Sequence, residues 1–150
     1  MNFMPADAFE RLKKRYRDFA PLMEHPSQFD QEILMAIVTL NGHPGLVTIS
    51  SRKGEIGKNC QGHGNLVVGV RDAEALAVLF SVQRRLISLR DTPYGTALIT
   101  EYKKDVTLNE KGPNAASYPV WILKWTFHTP ECPKIYQLIN NASLVVLENM

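Results

Sequence analysis

Phe9, Leu12, Tyr16 and Phe19 recur at spacings of three, four and three residues. At about 100° per residue that gathers them on one side of a helix. A helix is therefore predicted from Pro5 to Phe19, with Pro5 in the first turn, where a missing N–H costs nothing. Pro21 and Pro26 punctuate the next segment. A second helix is predicted from Gln28 or Asp30 to Leu40, its broad apolar face made by Ile33, Leu34, Ile37, Val38 and Leu40. Gly42 is placed to end it in the left-handed conformation. After a turn at His43-Pro44-Gly45, Leu46 to Ser50 reads as a strand. Residues 51 to 64 read as a loop, and Leu66 to Val70 as a buried strand. Asp72 is a good N-cap for a third helix, Ala73 to Leu89, with Leu76, Leu79, Phe80 and Leu86 facing the core.

The pattern changes after the turn at Asp91 to Gly95. Thr96 to Tyr102 carries β-branched residues in partial alternation, and Asn109 to Ser117 reads as loop. Val120 to Phe127 is the strongest strand signal in the chain. Thr129-Pro130 has the form of an N-cap and first helical residue, leading a short helix through Ile135, Leu138 and Ile139. Leu144 to Leu147 fits either an edge strand or more of that helix. The order implies an α+β fold: a mixed, mostly antiparallel sheet of four or five strands with three or four helices packed on it. The strand–helix–strand passage around Asp72 has the form of a crossover unit.

Composition narrows the classes. The chain has 150 residues, 45% of them apolar, with 17 Lys and Arg against 15 Asp and Glu. One domain covering residues 1–150 is expected, and intrinsic disorder is not. No apolar run is long enough to span a bilayer, and the first residues show no secretory pattern. Two cysteines make no disulfide framework, so a reduced, cytoplasmic location is the expectation. A net charge of +2 requires neither nucleic acid nor membrane.

The loop is the most informative stretch. Ser50-Ser51-Arg52-Lys53-Gly54-Glu55-Ile56-Gly57-Lys58 leads into Asn59-Cys60-Gln61-Gly62-His63-Gly64. Its glycines let backbone N–H groups approach a ligand closely, and its three cations favour an anion. It is no NTPase phosphate loop, since the glycine spacing differs and a strand follows. The candidate ligand-binding residues are Ser50, Ser51, Arg52, Lys53, Lys58, Gly62 and His63. The plain alternative is a solvated loop whose glycines only serve turns.

Each cysteine has a histidine nearby. Cys60 and His63, with His128 and Cys132, would supply the two thiolates and two imidazoles that suit zinc. The two pairs lie about 65 residues apart, so their meeting depends on the fold. Buried cysteines of purely structural use are the alternative. No positioned third group supports Cys60 as a nucleophile with His63 as its base. Arg11, Lys13, Lys14, Arg15 and Arg17 form a basic run on the first helix. It reads as a solvated exterior or a contact for RNA or an acidic protein, enlarged by Arg84, Arg85 and Arg90 if those helices are neighbours. Trp121, Leu123, Trp125 and Phe127 share one strand face, which fits a core layer better than a stacking platform.

Leu40-Asn41-Gly42-His43-Pro44-Gly45-Leu46-Val47-Thr48-Ile49-Ser50-Ser51, followed by a glycine-rich loop and an apolar strand, resembles the wybutosine-synthesis tRNA methyltransferase family. Cys60-Gln61-Gly62-His63-Gly64 also resembles the Cys-x-Gly-His-Gly segment of small phage-type proteins. The first resemblance implies RNA binding and a cofactor such as S-adenosylmethionine. The second implies an accessory or counter-defence protein acting on a host signal or host protein. The leading expectation is a non-catalytic protein that binds a nucleotide-like or other phosphate-bearing ligand through the cationic loop. The alternatives are an RNA-binding or tRNA-modifying protein, and a protein-interaction module built on the aromatic strand.

Overall fold

The computed structural model describes residues 3–19, 31–52, 62–87, 94–104, 117–127 and 133–149. Four helices and four strands follow one another as α1 (Ala6–Phe19), α2 (Gln31–Asn41), β1 (Leu46–Arg52), β2 (Gly62–Val70), α3 (Ala73–Ile87), β3 (Tyr94–Lys104), β4 (Ser117–Phe127) and α4 (Pro133–Glu148). The strands form one sheet in the order β1–β2–β4–β3. This is the α+β fold the pattern implies, with every pairing antiparallel rather than mixed. Since β2 and β3 both oppose β4, they run parallel to each other, and α3 is the crossover between them.

Both faces of the sheet are covered, because the strands alternate two apolar sets. Leu66, Val68 and Val70 of β2, with Trp121, Leu123 and Trp125 of β4, pack against α2, α3 and α4. Val67, Val120 and Ile122 point the other way, onto Met4, Ala8, Phe9 and Leu12 before and along α1. Trp121 and Trp125 are therefore core residues, closed to stacking with bases. Phe80, expected in the core, is exposed on α3.

Several local expectations change. Asp72 caps α3 as predicted, its Oδ1 accepting the Ala75 N–H at 2.9 Å. The last apolar run continues α4 rather than forming a strand, and that helix opens at Pro133, three residues beyond Pro130. Gly42 closes α2 without entering the left-handed region. Its N–H instead reaches back to the Val38 and Thr39 carbonyls at 3.1 and 3.2 Å. Most consequentially, the expected loop ends early: Gly62, His63 and Gly64 already belong to β2, paired with Phe127, Thr126 and Trp125.

Candidate functional site

The sheet has two ends, and each gathers part of the chemistry. At one end β1 finishes at Arg52, opposite Asn65, and β2 begins at Gly62 beside Phe127 of β4. Phe127 is also paired with Tyr94, the first residue of β3. Ser50, Ser51 and Arg52 thus stand at the end of β1, while Lys53, Lys58 and Cys60 lie outside the described residues. Gly62 and His63 are strand positions, a correction to the loop reading. Gly64 has a structural explanation: a Cβ there would fall on the Trp125 indole, so the ring rests against bare backbone. Its glycine serves packing, not ligand approach.

The same register bears on the two Cys–His pairs. Gly62, two residues after Cys60, lies across from Phe127, one residue before His128. Adjacent strand ends therefore anchor segments that are distant in sequence. His128 and Cys132 lie outside the described residues, and among those described no group of three or more metal-binding side chains occurs.

The opposite end holds a polar corner that sequence reasoning passed over. Asn41, the last residue of α2, directs its carboxamide at the free edge of β1. Its Oδ1 accepts the Thr48 N–H at 3.0 Å, and its Nδ2 donates to the Ile37 carbonyl at 2.7 Å and to Thr48 Oγ1 at 2.6 Å. Lys13 reaches across from α1 and donates to the Asn41 and His43 carbonyls at 2.8 and 2.9 Å. An ammonium at a helix C-terminus satisfies orphan carbonyls and opposes the dipole. Burial, then the neighbouring Arg17, pulls Lys13 below the usual lysine range. The basic run of α1 is thereby divided, since Lys13 is a structural tie rather than part of a solvated face. Arg84 and Arg85 of α3 do not extend that run, because α1 and α3 pack on opposite faces of the sheet.

His43 follows in the turn. Its Nδ1 accepts the Gly45 N–H at 3.0 Å, which assigns the ring proton to Nε2. Burial first, then Arg71 and Lys13, holds the ring below its ordinary value, outweighing the carboxylates of Asp72 and Glu74. Arg71 is engaged with Asp72 at 2.8 Å and reaches the Pro44 carbonyl at 3.5 Å. The turn sits tightly on α3: a Cβ on Gly45 would come within 2.5 Å of the Ala75 methyl. An open groove of about 550 Å³ borders this corner, between α2, the turn, Glu74 and the last turns of α4.

No known protein family, curated protein or solved structure matches this chain. No helix among the described residues is long and apolar enough to cross a membrane.

Proposed function

We propose that the protein is a non-catalytic binding protein that holds a nucleotide-like or other phosphate-bearing ligand at the end of the sheet where β1 leaves and β2 begins. The observation that carries this reading is the gathering of cation-bearing segments there. Arg52 ends β1, and Lys53 and Lys58 fall between it and Gly62 in the sequence. Arg84 and Arg85 occupy the last turn of α3, which runs back toward Tyr94, and Tyr94 and Gly62 flank the same residue of β4. Positive groups collected at one end of a sheet raise the local concentration of anions. The opposite corner supports the non-catalytic reading. His43 has one nitrogen locked to Gly45, and Lys13 and Asp72 serve helix ends, so among the described residues of this corner no nucleophile–base pair forms.

The test is equilibrium binding of nucleoside mono-, di- and triphosphates and cyclic dinucleotides to the intact protein. At least one should bind at micromolar concentration, and the combined change Arg52→Glu, Lys53→Glu and Lys58→Glu should abolish it. The ligand-free melting temperature should stay unchanged. Binding that survives the reversal, or no binding by any member, refutes the proposal.

A further inference from the structure

The sheet has two edges, and they are finished differently. β1 is blunted: Asn41 accepts its Thr48 N–H, and its pairing with β2 shifts between Thr48 and Ser50. β3 carries neither device. Its 11 residues pair with β4 in unbroken register, with no proline and no bulge. Among the described residues no strand pairs with its outer side. Its outward N–H and C=O groups therefore form a regular row about 36 Å long, a template for a further strand. Side chains along it are open to solvent, Tyr102 at 63% and Ile99 at 39%.

The helix above this edge is open on the same side. α2 lies over β1, α4 contacts both of the other helices, and α3 lies over β3. Ala77, Val78, Ser81 and Arg85 turn one flank of α3 toward α4. Phe80 and Ile87, two turns apart, belong to the other flank and are 39% and 57% exposed. That flank borders the free edge of β3.

A partner for this side of the molecule must supply a strand and an apolar helix at the same layer spacing. A lone peptide strand would cover the edge and leave Phe80 and Ile87 in water, and a lone helix would do the reverse. A second copy supplies both. One two-fold axis perpendicular to the sheet sets β3 antiparallel to β3 and α3 against α3. We propose that the protein is a homodimer closed through β3 and α3, with a single antiparallel sheet running through both copies. Two layers along an edge about 36 Å long amount to roughly 700 Å² per copy, near the ~800 Å² of a standard interface.

Length and charge set the register. Opposed side chains share a face, so the axis passes through one residue of β3. An axis at Ile99 gives every residue from Tyr94 to Lys104 a partner. Glu101 then stands opposite Ala97 of the second copy and Lys103 opposite Gly95, so no like charges meet. An axis at Glu101 or Lys103 would oppose a charge to itself, which is destabilising. One at Tyr102 would set Glu101 against Lys103 but engage only residues 100–104 of β3. Ile99 is paired with Ile122 on the face of α1, which packs toward β1 and leaves Ile99 open. In the dimer its own twin covers it.

Interfaces of this size hold at micromolar concentration or below, so sedimentation at about 50 μM should give the mass of two chains. Phe80→Lys combined with Ile87→Lys should give the mass of one, with an unchanged circular-dichroism spectrum because both positions are exposed. Leu144→Lys, as exposed as Phe80 but on α4, should remain a dimer. Opposed strand residues lie within disulfide reach, so Ile99→Cys should cross-link to itself on mild oxidation, with the linked peptides mapped by mass. A parent protein that sediments as one chain, or as more than two, would overturn the proposal. So would a dimer that survives the double lysine variant, or a cross-link that forms in Tyr102→Cys and not in Ile99→Cys.

Discussion

At the scale of single residues, two positions show how far local chemistry is set by a distant partner. Gly64 is glycine because Trp125, more than sixty residues later, lies flat on its backbone. Gly64→Ala would force either the indole or the strand to move, and overpacking of this kind costs about 1–3 kcal/mol. The melting temperature should fall accordingly, and Trp125→Phe should recover part of the loss, giving a non-additive double mutant. His43 is the second case. The fold holds its ring neutral against an ordinary value of 6.5, so near that pH the unfolded chain binds more protons than the folded one. The His43 contribution is thus complete above about pH 6.5 and is lost as pH falls toward the folded value. Protonation would also break the Gly45 hydrogen bond, with Arg71 and Lys13 opposing the new charge and Asp72 and Glu74 only partly relieving it. His43→Asn keeps an acceptor for the Gly45 N–H and titrates nowhere in this range. Melting temperatures between pH 7.5 and 5 should therefore fall less steeply in that variant than in the parent.

At the scale of elements, what the sequence reveals depends on whether an element's reasons are local. α3 is legible because its cap, its periodicity and its crossover length are all written within or beside it, and Asp72 does cap Ala75. β4 is legible for a similar reason, an apolar alternation too strong for a loop. The start of β2 is not, because Gly62-His63-Gly64 carries the composition of a turn and becomes strand only through pairing with Phe127, Thr126 and Trp125. Lys13 is hidden in the same way, one cation in a run of five until α1 is seen to lie beside the end of α2. Asn41 looks like an ordinary helix terminus, yet it ties α2 to β1 through two hydrogen bonds with Thr48. Asn41→Ala would leave the Thr48 N–H without its protein partner at a half-buried edge, at a cost of about 1–3 kcal/mol. Asn41→Asp retains the acceptor and loses both donated bonds, so its melting temperature should fall between those of the parent and the alanine variant. Equal losses in the two variants would show that the Thr48 N–H bond contributes nothing.

At the scale of the whole molecule, one sheet separates two cores of unequal size. Among the described residues, the core under α2, α3 and α4 holds 18 buried residues and the core under α1 holds nine. Stability follows buried apolar contact, so opening need not be uniform across such a structure. α1 is the only described helix on its face, and it is fastened to the rest by Phe9, Leu12 and the Lys13 tie. It should therefore open as a unit below the free energy of global unfolding, while α3 and the central strands β2 and β4 exchange only through global unfolding. Phe9, fully buried, is the largest side chain that α1 places in the smaller core. Phe9→Ala should cost about 3–5 kcal/mol in that layer. Native-state hydrogen exchange distinguishes the layers: the variant should lose protection along Ala8–Arg17 by more than at Leu79 and Val82 of α3. If the α1 and α3 amides instead lose protection by the same amount, the two cores unfold together and the sheet transmits the loss from one face to the other.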